Sequence, residues 1–166
     1  MKMCFLDIDG ILNSGEDHEN LKELKQRKNF IPSVSRKGDW VERTKLEMLQ
    51  KFVKETGVLI QVVSAWTVTH TLDDIRKTLG LYNEILTIER NKNYYPNYGS
   101  RGSIVYNTVN NSGISGFVTL DDSWHVEYGD NSEQFHCVKI CGRKGLEPYH
   151  LEEAKEWLTK TPKFYE

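Results

Sequence analysis

The sequence is poor in cysteine: Cys4, Cys137 and Cys141 are its three thiols. An odd count closes no disulfide framework and points to a reducing compartment. Cys4 sits inside an apolar run and reads as a small buried hydrophobe. His136, Cys137 and Cys141 offer half a zinc site, but no second ligand pair lies elsewhere to complete it. No uninterrupted apolar stretch approaches the roughly 20 residues needed to cross a bilayer. The start, MKMCFLDIDG, does not read as a signal peptide, because acids break its apolar run almost at once. Internal repeats and low-complexity tracts are lacking too. The expectation is a single soluble domain over residues 1–166, cytoplasmic, without membrane association or an obligate protein partner.

Overall charge is also scarce, a net −2, which points to no strongly acidic or basic partner for the chain as a whole. The average hides an asymmetry. Between Lys22 and Lys45 stand eight basic residues (Lys22, Lys25, Arg27, Lys28, Arg36, Lys37, Arg43 and Lys45) and three acidic ones. That stretch carries +5, and the remainder therefore −7.

Apolar patterning alternates between strand and helix. Met3 to Ile8 is a short apolar run ended by Asp9-Gly10, a buried strand entering a turn. Residues 15–40 lack clear periodicity and read as an insertion, or small cap, with at most one short helix. From Val41 onward Leu46, Leu49, Phe52 and Val53 recur at helical spacing, and Gly57 stops the helix. Val58 to Val63 is a β-branched strand. Thr69 to Leu79 reads as a helix closed by Gly80, Ile85 to Ile88 as a further strand, and Asn91 to Gly99 as a loop. Gly102 to Val109 reads as helical, Gly116 to Leu120 and His136 to Ile140 as strands, and Leu151 to Leu158 as a terminal helix with Trp157 on its apolar side. Strands alternating with helices imply an α/β fold with a mostly parallel, Rossmann-like sheet flanked by helices. In such sheets the ligand site lies beyond the carboxyl ends of the strands.

Three polar clusters each follow a strand directly: Asp7-Ile8-Asp9-Gly10, Ser64, and Asp121-Asp122. A parallel sheet brings all three to one edge. Carboxylates at i and i+2 leave a strand on the same side. One can attack phosphorus, while the other protonates the leaving oxygen and later deprotonates water. Gly10 lets the chain turn sharply beside them. So dense a group of carboxylates needs a cation, and hard oxygen ligands suit Mg²⁺.

FLDIDGILN resembles the first motif of the haloacid dehalogenase (HAD) superfamily, a hydrophobic strand followed by D-x-D-G-x-x-N. VVSAW resembles its second motif and TLDDS its fourth, in the same order. SRGSIVYN is similar to a segment of small HAD domains of RNA-repair and phage type. The resemblance implies a single HAD-like domain with a minimal cap, and Mg²⁺ as cofactor. It implies Asp7 as nucleophile and metal ligand, and Asp9 as general acid/base whose main-chain carbonyl also meets the metal. Ser64 and Gly10 would bind the phosphoryl group. Asp122 would be a metal ligand with Asp121 close behind or bridging through water, and Asn13 would brace the first loop. The third-motif cation, usually Lys, falls to Arg101, with Lys92 in reserve. The small domains often carry Ser-Trp-Arg after the second strand, but here Thr67 follows Trp66.

Lys92, Tyr94, Tyr95 and Tyr98 set aromatic faces beside cations, as a base and its phosphates require, and are expected at a substrate rim. The implied activity is phosphomonoester hydrolysis through an aspartyl-phosphate, on a nucleotide or nucleic-acid end, in the host cytoplasm if the chain is phage-encoded. The rival reading is a catalytically silent HAD-like domain that binds a phosphorylated ligand or a protein partner. A receiver domain fits less well, since its acidic pair follows the first strand and its single Asp a later one.

Overall fold

A computed structural model of the chain describes residues 1–86 and 98–164. Strand β1 spans Lys2–Leu6, and Met3, Cys4, Phe5 and Leu6 are all buried. A strand that is apolar on both faces needs cover on both sides, which suits the middle of a parallel sheet. Beyond β1 the chain forms two short helices, α1 (Gly15–Glu19) and α2 (Leu21–Gln26). A small antiparallel ladder follows, β2 (Phe30–Pro32) on β3 (Trp40–Glu42). This arm, residues 15–42, holds more structure than the single helix expected. Each of its pieces is too short to show a period. Val41, expected to open the next helix, lies in β3 instead.

Helix α3 runs Arg43–Thr56 and buries Leu46, Leu49, Phe52 and Val53. Glu42 caps its start by accepting from the Lys45 N–H at 2.8 Å, and Gly57 ends it at φ 66. Strand β4 (Leu59–Val62) leads into α4 (Trp66–Thr69) and α5 (Leu72–Leu79). The expected helix from Thr69 is thus broken at His70, whose extended backbone lets Thr71 cap α5 in a reciprocal box with Asp74. Ile85 makes a parallel bridge to Ile60; Thr87 and Ile88, the rest of the strand expected there, lie outside the described residues.

Helix α6 covers Gly99–Asn111, β5 Gly116–Asp121, α7 Trp124–Glu127, β6 Cys137–Lys139 and α8 Pro148–Trp157. The sheet runs in the order β4-β1-β5-β6, all parallel. Alternation along the strands splits the core in two. Cys4, Leu6, Ile60, Val62, Val118 and Leu120 pack with α3, α5 and α8. Met3, Phe5 and Phe117 pack with Val105 and Val109 of α6 and with Tyr128 and Phe135. The sheet is therefore covered on both faces, as in a Rossmann-like domain. Among the described residues, no helix is long and apolar enough to cross a membrane.

Candidate active site

Register decides which side chains meet. Leu6 pairs with Val62 on one side and Leu120 on the other. The next residues, Asp7, Val63 and Asp121, therefore stand level at the carboxyl edge. Asp7 follows Met3 and Phe5 in the two-residue period, and Asp121 follows Phe117 and Thr119. Both carboxylates thus lean to the face that α6 covers. From the first turns of α6, Arg101 reaches them: its Nη1 lies 2.7 Å from Asp121 Oδ2 and 3.0 Å from Asp7 Oδ2. Glu127 of α7 lies 3.8 Å from its Nε. Close packing sets that approach. A Cβ on Gly99 would meet the Glu127 carbonyl oxygen at 2.4 Å, so only glycine lets α6 start so near α7.

Asp7 is 3% exposed, and its Oδ1 accepts from the Ile8 N–H at 2.9 Å. Asp121 is fully buried and has both oxygens engaged. Its Oδ1 accepts from Ser123 N–H at 2.8 Å, and its Oδ2 from Arg101 and from the Tyr128 hydroxyl at 3.4 Å. Asp122 differs: it lines the open cavity beside Asp7. Ligand atoms of Asp7, Asp121 and Asp122 all lie within 4.8 Å of one another.

Asp7, Asp121 and Asp122 crowd beside one guanidinium that Glu127 also approaches, and the imbalance shows in the proton affinities of the three. Burial pushes the Asp7 pKa up to about 7; Arg101 opposes the rise, and the adjacent Asp122 adds to it. Burial and the Asp7 charge push Asp121 up to about 6 against the pull of Arg101. Burial also raises Asp122, with the Asp121 charge adding to it. Asp7 and Asp122 stand within hydrogen-bonding reach of each other, which two carboxylates tolerate only around a shared proton or a cation.

The Asp122 carboxylate is cradled by backbone. A Cβ on Gly10 would come within 2.2 Å of its Oδ2, and one on Gly142 within 2.4 Å. Gly10 also holds φ +81, a conformation most side chains avoid. Asn13 braces this turn: its Oδ1 accepts from Gly10 N–H at 3.1 Å, and its Nδ2 donates to Asp9 Oδ1 at 3.0 Å and to the Trp40 carbonyl at 2.8 Å. Trp66 Nε1 also donates to Asp9 Oδ1, at 3.0 Å. One oxygen of Asp9 is therefore held by two donors.

These residues surround a cavity of about 360 Å³ lined by Asp7, Asp9, Gly10, Asn13, Arg101 and Asp122, with Ser14, Gly15, His18, Ala65, Ser123 and Gly142 completing the wall. Ser64 follows β4 at the same edge, but its Oγ accepts from the Trp66 N–H at 3.3 Å, and Ala65 rather than Ser64 lines the cavity. Tyr98, expected at the substrate rim, instead packs its ring against Tyr106, Phe135 and Phe164, at 5.0, 5.3 and 6.5 Å between centroids. It starts a helix over the sheet, which draws the ring into the apolar cluster and off the cavity wall. Lys92, Tyr94 and Tyr95 lie outside the described residues. Among the described residues, His136, Cys137 and Cys141 form no metal-ligating group.

Sequence reasoning passed over four contributors. Trp66 and Gly142 lie a few residues beyond β4 and β6, in the connections at the ligand edge, and carry no motif of their own. Glu127 and His18 sit on short helices without a motif, and nothing nearby in sequence marks them.

A parallel α/β sheet with D-x-D after its first strand and an acidic pair after a later one, joined by an arginine from a flanking helix, defines a HAD-like domain. Residues 3–151 match the model of a particular family, the HAD domain in Swiss Army Knife RNA repair proteins, and the chain belongs to it. Comparison with curated proteins and with solved structures gave no match.

Proposed function

We propose that the protein is a Mg²⁺-dependent phosphomonoester hydrolase that works through an aspartyl-phosphate on Asp7. Family membership supports phosphatase-type chemistry in general. The observation that carries the finer reading is Asp7 itself: buried, held at 3.0 Å by Arg101, and close to a second carboxylate at the cavity wall.

The donor set fits a hard divalent ion. Asp7 and Asp122 supply adjacent oxygens, and the Asp9 main-chain carbonyl is a further candidate ligand. Gly10 and Gly142 leave room for the Asp122 carboxylate where a Cβ would not. Bound there, Mg²⁺ would neutralise the carboxylate cluster and the phosphate charge. Asp121, with both oxygens occupied by protein donors, positions Arg101.

In the first step an Asp7 oxygen attacks phosphorus while the bond to the leaving oxygen breaks. Asp9 gives that oxygen its proton from the carboxyl oxygen that Asn13 and Trp66 leave free. Arg101, always charged, faces the phosphoryl oxygens with its planar fork. In the second step Asp9 takes a proton from water, whose oxygen attacks phosphorus and breaks the acyl-phosphate bond. Inorganic phosphate leaves and Asp7 is restored. Ser64, at the same sheet edge, is the candidate hydroxyl donor to a phosphoryl oxygen, since accepting from the Trp66 N–H leaves its own proton to give. Gly10 contributes by its turn, its N–H being held by Asn13 Oδ1.

The substrate is a phosphate on a nucleotide or a nucleic-acid end. The family's occurrence in RNA repair proteins supports this, as does a site open enough to admit a chain end. Hydrolysis of a generic aryl phosphate with Mg²⁺, with Asp7→Asn as control, tests the chemistry. Turnover in the wild type and none in the variant is expected. Binding of phosphorylated ligands without turnover of any would instead establish the silent, ligand-binding reading. A panel of nucleotides, 3′- and 5′-phosphorylated oligonucleotides and sugar phosphates tests the substrate, and a preference for sugar phosphates would overturn it.

A further inference from the structure

The arm between β1 and α3 carries charge that the site does not use. Residues 20–37 hold Lys22, Lys25, Arg27, Lys28, Arg36 and Lys37 against one acid, Glu23. All six basic residues are exposed. Two are partly neutralised locally, Arg27 by Glu23 at 2.6 Å and Arg36 by Asp39 at 3.3 Å. Lys22, Lys25, Lys28 and Lys37 make no ion pair among the described residues. The acids of α1 do not offset them, because they are engaged elsewhere. Asp17 pairs with Lys45 at 3.0 Å, and Glu16 and Glu19 with Arg143 at 3.8 and 3.1 Å. The result is a cationic surface on a molecule whose total charge is −2.

The arm is physically continuous with the cavity. His18 is part of the cavity wall, and its ring meets Trp40 at 4.8 Å between centroids. Trp40 meets Phe30 at 5.5 Å, and the Lys25 ammonium stands 5.0 Å over the Phe30 ring. Three successive contacts thus run from the site to Lys25. The Trp40 carbonyl, in turn, accepts from the Asn13 amide that holds Asp9. A terminal phosphate in the cavity would leave the rest of its strand near an arm whose four lysines are exposed and make no ion pair among the described residues. Lone surface lysines are ordinary. A +5 excess within eighteen residues, tied by aromatic contacts to the acidic cavity, is what a polyanionic strand requires.

We infer that residues 20–37 form a docking track for a single-stranded polynucleotide whose phosphorylated end enters the Asp7 cavity. This rests on the reading of that cavity as a site for a nucleic-acid-end phosphate. Affinity for the strand comes from the lysines and chemistry from the cavity, so the two are separable.

The test measures binding, without turnover, in the full-length Asp7→Asn protein with Mg²⁺. Fluorescence anisotropy would follow a labelled, terminally phosphorylated oligonucleotide as RNA and as DNA, with the matching mononucleotide as competitor. The expected result is that the oligonucleotide binds at least tenfold more tightly than the mononucleotide and weakens steeply with salt. Adding Lys22→Ala, Lys25→Ala and Lys37→Ala should lower the slope of log K against log salt by about 2, since each single-strand contact contributes roughly 0.7. The corresponding Lys→Arg triple variant keeps the charge and should keep the slope, which separates charge from folding. Whichever of RNA and DNA binds more tightly identifies the strand. Equal affinity for mononucleotide and oligonucleotide, or an unchanged slope in the alanine variant, would overturn the track. So would equally tight binding of an equally charged phosphopeptide. Salt-dependent strand binding by a protein whose wild type hydrolyses nothing would uphold the track and remove the hydrolase reading.

Discussion

In the proposed role of nucleophile Asp7 has to be ionised, yet it is buried among other acids. An unfolded aspartate ionises near 3.8 and folded Asp7 near 7. Between those values the folded chain holds more protons than the unfolded one, so this group's contribution to stability is complete below pH 4 and is lost as pH rises through 7. Asp7→Asn removes the charge that causes the loss. Its melting temperature in EDTA should exceed that of the wild type by at least about 3 °C at pH 8, and the gap should close toward pH 4. A variant less stable than wild type at pH 8 would contradict this, and turnover should vanish in either case. Asp9 makes the complementary case. Trp66 Nε1 and Asn13 Nδ2 both donate to its Oδ1, so Trp66→Phe removes one of the two donors that orient its carboxyl group. That variant should lose about tenfold in kcat with little change in KM. A purely structural role for Trp66 would lower the melting temperature and leave kcat unchanged.

At the scale of elements, the site exists because short connections end at glycines. Gly142 follows β6, and a Cβ there would meet Asp122 Oδ2 at 2.4 Å. Gly142 does not sit in the left-handed region, so Gly142→Ala tests crowding without backbone strain. The Mg²⁺ concentration for half-maximal activity should rise about tenfold or more, while the far-ultraviolet circular dichroism stays unchanged. The strands that set up this geometry were legible in the sequence, since Met3–Ile8, Val58–Val63 and Gly116–Leu120 are largely apolar runs closed by turn residues, although the first strand ends at Leu6, two residues early. Helices α3 and α5 were legible through their period and their C-terminal glycines. The arm was not, because β2 and β3 have three residues each and their register depends on aromatic packing of Phe30 on Trp40. In the candidate site, Asp7, Asp9 and Asp121-Asp122 stood out as acids at strand ends. Trp66 and Gly142 did not, because a side chain's hydrogen bond across 57 residues and a missing Cβ leave no local pattern. Tyr98 misled for a related reason: next to loop tyrosines it looks like part of a rim, and only the pairing of α6 with the sheet shows its ring turned inward.

For the whole molecule, the decisive quantity is the mismatch between the clustered carboxyl groups of Asp7, Asp121 and Asp122, with Glu127 beside them, and one arginine. Without a cation the native state carries that repulsion, or holds protons to relieve it, and the unfolded chain does neither. An ion that binds only the folded cluster therefore stabilises the entire domain by RT ln(1 + [L]/Kd), about 2.7 kcal/mol at a hundredfold excess over Kd. Protons compete for the same oxygens, so the gain must depend on pH in a set direction. At pH 8 Asp7 is ionised and binds the ion without first releasing a proton. At pH 5 it is largely protonated and metal binding has to displace that proton. The rise in melting temperature on adding Mg²⁺ should accordingly be large at pH 8, smaller at pH 7 and nearly absent at pH 5. It should be lost at every pH in Asp122→Asn, which leaves Asp7 and Arg101 intact. Differential scanning calorimetry with and without Mg²⁺ at the three pH values measures this directly. A rise that is equal at all of them would mean that the ion binds away from the Asp7 cluster.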